Sequence, residues 1–398
     1  MTTLSVVIPA YNEESGIAEI ACRVLSIREA LKLVGVSALE VIIVDDGSRD
    51  KTAEIARSIQ GVRTIQHVTN KGYGAALKTG FAQASGELIG FLDADGTYPP
   101  EHFPQLCVRV MDGCELVIGS RMAGGESKMP LTRRIGNIFF AGLLTLVGRQ
   151  HVSDSASGMR VFRREVLERV YPLPDGLNLT PVMSTRAIHE GIRMEEVPIP
   201  YSERVGRSKL SVVRDGSIFL QSMIWTVLTY NPVRILGLIG LAGITVAGLV
   251  GLGLVIARLS GITRLGPWGV VAVFWALVSA VGGMSVFALG TTFNYLVSLF
   301  YRRPIRQGLF GRPIFNPSLD HYFGMMGFIA ILLGLALGIA IMIMGASGWE
   351  ISRLWLYLLG SAMMILIGMQ LLISWIVMRA LEELSQRELL TQKDMEGG

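Results

Sequence analysis

Apolar and polar positions follow two regimes along this chain. Through residue 120, apolar runs of strand length recur between segments of helical periodicity, the pattern of a mostly parallel α/β sheet. The runs predict strands at Leu4–Ile8, Leu39–Val44, Val62–Val68, Glu87–Leu92 and Glu115–Ile118. Helices are predicted over Glu13–Leu33, Lys51–Ile59, Gly74–Ala84 and Glu101–Met111. From Val233 onward the alternation gives way to four stretches that are apolar on every side, near Val233–Ala257, Val270–Phe300, Phe323–Gly345 and Leu354–Met378. Each is at least as long as the roughly 20 residues that cross about 30 Å of hydrocarbon, which predicts four membrane spans.

Between the two regimes the pattern is less regular. Ile135, Ile138, Phe139, Gly142, Leu143, Leu146 and Val147 recur at helical spacing behind Arg133-Arg134. This reads either as an interfacial helix with its apolar face in lipid or as a core helix with a solvated end. Ser211 to Tyr230 is a second such segment and leads into the first span. The expected organisation is a globular domain over 1–210, an amphipathic juxtamembrane segment over 211–231, a four-helix transmembrane domain over 232–379 and a polar tail over 380–398.

Charge refines this division. Residues 1–120 carry 10 basic and 15 acidic groups, whereas residues 121–230 carry 15 and 10. An acidic front that binds a cation, followed by a basic stretch that faces an anionic partner, fits that asymmetry. The net charge of +4 does not imply nucleic acid, because many arginines flank the apolar spans. Arg302, Arg303, Arg306 and Arg312 make the loop Tyr301–Tyr322 the most basic one, which orients it and both termini to the cytoplasm. Met1-Thr2-Thr3 runs straight into a strand-like segment without a basic leader, so the first domain is also expected on the cytoplasmic side of the cell membrane. Cys22, Cys107 and Cys114 show no CxxC spacing, and the five histidines no ligand spacing, so neither a disulfide framework nor a zinc site is indicated.

The candidate chemistry falls at the carboxyl ends of predicted strands, where open α/β sheets bind ligands. Asp93-Ala94-Asp95 follows the apolar run Leu88–Leu92 directly. Two carboxylates there cost solvation energy unless a cation uses them, and Mg²⁺ or Mn²⁺ on a diphosphate suits one or two carboxylates plus phosphate oxygens. Asp45-Asp46-Gly47-Ser48 offers a carboxylate to a nucleobase or ribose, or is a plain strand-turn-helix cap. In Pro9-Ala10-Tyr11-Asn12-Glu13, Tyr11 suits base stacking and Glu13 the ribose, while Asn12 also suits a helix cap. Asn70-Lys71-Gly72-Tyr73-Gly74 precedes a helix and would offer backbone N–H groups and Lys71 to phosphate.

Taken together, in this order and at this spacing, these turns resemble the GT-A domain of family 2 glycosyltransferases, a Rossmann-like nucleotide-sugar-binding fold. Asp95-Gly96-Thr97-Tyr98-Pro99-Pro100-Glu101, Gly119-Ser120-Arg121, Ser157-Gly158-Met159-Arg160 and Gly206-Arg207-Ser208-Lys209-Leu210 extend the resemblance to the polyprenyl-phosphate branch, typified by dolichyl-phosphate mannose synthase. The resemblance implies base and ribose contacts from Pro9, Tyr11, Glu13 and Asp45, and a metal held by Asp93 and Asp95. It implies that Arg121, Arg133, Arg207 and Lys209 hold the acceptor phosphate or the donor diphosphate, with Asp46, Lys71 and Ser157 also in the substrate site. Asp154 stands where the branch carries an acid, and either positions or deprotonates the acceptor or pairs with Arg160. Members of the branch usually carry a metal-coordinating Gln where this chain has Thr97, so neither coordination at that position nor mannose as the sugar is carried over.

The expected activity is inverting transfer of a sugar from a GDP- or UDP-linked donor to a polyprenyl phosphate at the bilayer. A processive polysaccharide synthase would share the motifs but normally carries Gln-x-x-Arg-Trp, and Gln221-Ser222-Met223-Ile224-Trp225 lacks the Arg and the spacing. A non-catalytic scaffold or lipid translocator is the remaining alternative. Gly327, Gly334 and Gly338 give one helix a small-residue surface, which suggests a homo-oligomer.

Overall fold

In the computed structural model, residues 2–122, 129–147, 152–202, 212–262, 264–301, 319–349 and 354–396 are described. They form two compact units, Met1–Val227 and Leu228–Gly398.

The first unit is built on a seven-stranded sheet. Its strands are β1 (Thr2–Ala10), β2 (Val36–Asp45), β3 (Val62–Gln66), β4 (Leu88–Phe91), β5 (Leu116–Ser120), β6 (Arg160–Arg163) and β7 (Met194–Pro198). They lie in the order β3-β2-β1-β4-β6-β5-β7, and β6 alone runs antiparallel to its neighbours. The central strands are buried on both faces, as near-continuous apolar runs require. Along β1, Leu4, Val6 and Ile8 enter one core while Val7 enters the other. Helices α1 (Ile17–Ser26), α2 (Arg28–Leu33) and α5 (Phe103–Met111) cover the first face. Helices α4 (Tyr73–Gln83), α7 (Val166–Val170) and α8 (Leu179–His189) cover the second. The short α3 (Thr52–Ser58) follows the β2 turn.

The helix expected over Glu13–Leu33 starts later and is broken. Asn12 sits at φ 51°, in the left-handed region, and the N–H groups of Glu13 and Glu14 go to Thr52 Oγ1 and Asp50 Oδ2. The helix therefore begins only at Ile17, and Asn12 is not its cap. Instead the Asn12 side chain accepts from the Arg49 N–H at 2.8 Å, tying the β1 turn to the β2 turn. Strands β6 and β7 escaped sequence reading for a physical reason. Their strings, RVFR and MEEVP, carry charged groups where strand patterning expects apolar ones.

Helix α6 (Leu131–Val147) resolves the alternatives left open for it. Asn137, Ala141 and Leu144 are buried, yet Ile135, Ile138 and Phe139 are 59, 56 and 56% exposed. It is thus a two-sided helix, packed on the unit through one face and carrying a bare apolar face on the other. Helix α9 (Val212–Tyr230), expected as a separate juxtamembrane segment, packs with the α/β unit through Met223 and through Asn178 Nδ2 donating to Ser222 Oγ at 2.7 Å.

The second unit holds α10 (Pro232–Leu259), α11 (Pro267–Tyr301), α12 (Phe323–Ala346) and α13 (Trp355–Glu396). Their apolar spans of 28, 34, 28 and 30 residues are each long enough to cross a membrane. No break separates the fourth span from the tail expected after residue 379: α13 is continuous to Glu396. The small-residue surface foreseen for an oligomer is occupied within the chain. A Cβ on Gly327 would meet Gly368 O at 2.7 Å, one on Gly334 would meet Ile365 Cγ1 at 2.7 Å, and one on Gly338 would meet Ser361 Oγ at 3.0 Å. These glycines let α12 approach α13, so they present no free face to a second copy.

Candidate active site

A cavity of about 490 Å³ opens at the carboxyl ends of β1 and β4, bounded on its far side by α6 and α9. Pro9, Tyr11 and Glu13 from the β1 turn line it, with Asp93 and Asp95 from the β4 turn and Arg121 from the end of β5. Thr132, Asn137 and Phe140 of α6 and Asp215 and Phe219 of α9 form the opposite wall. The rings of Phe140 and Phe219 meet at 6.1 Å, which joins the two helices.

Each carboxylate of the β4 turn is oriented by a hydroxyl. Tyr73 Oη donates to Asp93 Oδ1 at 2.8 Å, and Thr97 Oγ1 donates to Asp95 Oδ1 at 2.6 Å, with the Thr97 N–H adding 3.1 Å. Thr97 is buried and outside the cavity lining, so it orients Asp95. Burial and the neighbouring Asp93 charge push the Tyr73 hydroxyl well above its ordinary pKa, which keeps it a donor. Among the described residues no three His, Cys, Asp or Glu groups gather as a closed metal cage. Two carboxylates on one cavity suit a hard dication that shares its remaining positions with phosphate oxygens.

Arg121 is held in place from three sides. Its Nε and Nη2 donate to the two oxygens of Asp154 at 2.7 Å each, and its guanidinium lies 5.8 Å from the Tyr98 ring and 5.4 Å from the Tyr201 ring. The Nη1 edge is not part of the Asp154 pair. Asp154 is completely buried and also accepts from Asn137 Nδ2 at 3.0 Å. Burial alone would raise its pKa, but the Arg121 charge and these hydrogen bonds outweigh it and the carboxyl is held below the ordinary range. Asp154 thus pairs with Arg121, and not with Arg160 as one reading had it. A buried, paired carboxylate that does not line the cavity is poorly placed to take a proton from a substrate. Arg160 donates to the carbonyls of Ser157 and Ser155 at 3.1 and 2.7 Å, and burial lowers its pKa to about 10.

Other expected contacts turn inward. Asp45 has no exposed surface and accepts from the Ser48 N–H at 3.3 Å, closing its own turn. Asp46 borders the cavity, yet its oxygens take the Lys71 and Gly72 N–H groups at 2.9 and 2.8 Å and His67 Nδ1 at 2.7 Å. The N–H groups expected to cradle phosphate are therefore committed: Asp46 holds those of Lys71 and Gly72, and Asp175 O accepts those of Gly74 and Ala75 at 2.7 and 3.1 Å. Lys71 is exposed outside the cavity lining. Ser157 is buried and donates to Gly119 O at 2.6 Å, a strut between β5 and the loop before β6. The side chain of Arg133, and Arg207 and Lys209 entirely, lie outside the described residues. Sequence reading missed Tyr73, Tyr98, Asn137 and Tyr201, which stand in or beside the lining.

Comparison with known proteins bears on the same residues. Residues 5–171 match the family described as glycosyl transferase family 2, and residues 232–392 match a domain of unknown function, DUF8752. A dolichyl-phosphate hexose transferase of Haloferax volcanii is 34% identical over 221 residues, covering 56% of this chain and 92% of that protein. The low-salt glycan biosynthesis hexosyltransferase Agl6 of the same organism is 35% identical over 218 residues, 54% of this chain and 51% of its own. Glucosyl-3-phosphoglycerate synthase from Mycobacterium tuberculosis, solved with Mn²⁺, UDP and phosphoglyceric acid, aligns at a TM-score of 0.45 and 22% identity, over 57% of this chain and 78% of that one.

Proposed function

Because this chain belongs to glycosyltransferase family 2, in its polyprenyl-phosphate branch, we propose that it moves a hexose from a nucleotide-diphosphate donor to a polyprenyl phosphate at the membrane surface. The α/β unit is the family's GT-A domain, followed by four helices able to span a bilayer. One observation carries the reading: the Asp93/Asp95 pair and the joined Phe140 and Phe219 rings of α6 and α9 line one cavity. A charged donor and a lipid-borne acceptor need that combination. The bare apolar face of α6 supports a site at the bilayer edge, and the relative named for dolichyl phosphate supports the acceptor class.

The reaction is a single displacement. An acceptor phosphate oxygen forms the new bond to the anomeric carbon as the bond to the donor diphosphate breaks, and the nucleoside diphosphate leaves with the electron pair. A phosphate is already anionic at neutral pH, so the step needs no strong general base, which agrees with the buried, paired state of Asp154. Inversion at the anomeric carbon follows from a single displacement. Tyr11 and Glu13 hold the nucleoside and Arg121 faces the diphosphate or acceptor phosphate. Asp93 and Asp95 would hold a Mg²⁺ or Mn²⁺, which when bound neutralises charge building on the leaving diphosphate. The arginine-rich loop after α11 supports a cytoplasmic site.

Purified protein incubated with polyprenyl phosphate and a panel of radiolabelled GDP- and UDP-sugars, with and without EDTA, tests this reading. A lipid-linked sugar that forms only with metal is expected. Sugar transfer that persists in EDTA, or no transfer to the lipid from any donor, overturns it.

A further inference from the structure

We propose that Tyr73 is a positioning residue for the cation, fixing the orientation in which Asp93 meets it; this rests on the reading that Asp93 and Asp95 hold that cation. Tyr73 opens α4, the helix that leads into β4, and its hydroxyl reaches across to the turn after β4 and donates to Asp93 Oδ1 at 2.8 Å. The ring packs against the core beneath the second face of the sheet, so the hydroxyl is delivered by a side chain with little freedom of its own.

The backbone on either side is pinned as well. Before Tyr73, the N–H groups of Lys71 and Gly72 are held by Asp46, and His67 braces Asp46 from Nδ1 while its Nε2 lies 2.9 Å from Thr79 Oγ1. After Tyr73, the N–H groups of Gly74 and Ala75 are held by Asp175 O. A helix start that would otherwise offer its N–H groups to an anion is closed, and the hydroxyl is what this segment contributes to the site.

The opposite side of Asp93 is closed by Gly158. A Cβ at that position would stand 2.5 Å from Asp93 Oδ2, and the Gly158 N–H is itself held by Tyr98 Oη at 2.7 Å. Asp93 therefore sits between a hydroxyl and a backbone with no room for a methyl group, and a single orientation of its carboxylate is preformed. Carboxylates that bind metal depend on such partners for orientation, and removing one costs roughly 10–100-fold in metal affinity.

The test measures Mn²⁺ binding by full-length protein in detergent with UDP or GDP present and no acceptor, using electron paramagnetic resonance, alongside steady-state kinetics. Tyr73→Phe keeps the ring and its packing and removes only the donor. Expected are a rise of about tenfold in the Mn²⁺ dissociation constant and in the Mn²⁺ concentration for half-maximal rate, with kcat recovered at saturating Mn²⁺ and an unchanged melting temperature. Gly158→Ala should shift Mn²⁺ affinity in the same direction from the other side of the carboxylate. Wild-type Mn²⁺ affinity in Tyr73→Phe, with binding lost in Asp93→Ala, overturns the positioning role and leaves the metal reading standing. Wild-type affinity in Asp93→Ala overturns the metal reading and the positioning role with it.

Discussion

At the carboxyl end of β2 and again at the carboxyl end of β4, the chain sets two carboxylates in a short turn, and the two turns end in different states. In the first, Asp45 and Asp46 accept from the N–H groups of Ser48, Lys71 and Gly72, so their oxygens close loops. In the second, Asp93 and Asp95 accept from the side-chain hydroxyls of Tyr73 and Thr97 and line the cavity. The difference lies in what surrounds each turn. The β2 turn packs against the loop between β3 and α4 and accepts its Lys71 and Gly72 N–H groups, and a buried N–H group left alone costs about 1–3 kcal/mol. The β4 turn faces hydroxyls, which orient a carboxylate without enclosing it. Acidic pairs at strand ends are thus binding groups where neighbouring backbone donors are satisfied elsewhere, and architectural where they are not.

Substitution should separate the two turns most sharply. Asp93→Ala and Asp95→Ala are expected to lower formation of lipid-linked sugar by about a thousandfold or more, with the melting temperature unchanged or raised. Asp46→Ala leaves His67 and two backbone N–H groups without their acceptor. It should cost about 3 kcal/mol or more, read as a lowered melting temperature in detergent. A stable but inactive Asp46→Ala protein would erase the contrast and return Asp46 to the binding groups.

The Arg121–Asp154 pair extends the comparison to a third carboxylate, one that is buried but serves a side chain in the cavity wall. Asp154→Asn leaves the Arg121 charge without its counter-ion, and breaking such a pair costs about 3–5 kcal/mol. Its pH dependence has a definite sign. The folded carboxyl is held below its ordinary value, with Arg121 overcoming the opposing effect of burial. The stability it contributes is complete above the unfolded aspartate pKa of about 3.9, and is lost as pH falls through the lower folded value. Between about pH 5 and 8 the pair's contribution should therefore be full and independent of pH in thermal unfolding. On acidification the wild-type protein should lose more stability than Asp154→Asn. Equal acid slopes in the two proteins would mean that Asp154 is not held ionised by Arg121.

The strand-end turns could be read from the chain because each follows an apolar run and breaks it with acids, glycine or proline. Five strands and the four long apolar helices carried that kind of local signal. Strand β6 did not: it places Arg160, fully buried and capped by carbonyls, where patterning expects an apolar residue. The site was legible in its acids but not in their partners. Tyr98, Asn137 and Tyr201 reach the cavity wall from separate segments; Tyr98 lies within the Asp95–Glu101 motif, whereas nothing in the neighbourhoods of Asn137 and Tyr201 marks them. Tyr73 did carry a signal, since it directly follows Asn70-Lys71-Gly72, but attention to backbone donors there hid the hydroxyl. Asp45 and Asp46 misled for the complementary reason, that sequence does not reveal which N–H groups will need an acceptor.

Thr97 gives the finest division between orienting and binding. It stands at the position where the resemblance leads one to expect a metal-coordinating Gln, yet it is 1% exposed and its hydroxyl donates to Asp95 Oδ1 at 2.6 Å. The Thr97 N–H donates to the same oxygen at 3.1 Å, so removing the hydroxyl leaves one of the two Thr97 bonds to Asp95 in place. Thr97→Val should accordingly raise the Mn²⁺ concentration for half-maximal rate by only about two- to fivefold, with kcat little changed, and Thr97→Ser should behave as wild type. An effect as large as that of Asp95→Ala would make the hydroxyl a ligand in its own right. The β4 turn would then bind through three groups, and the line drawn here between hydroxyls that orient and carboxylates that bind would fail at its narrowest point.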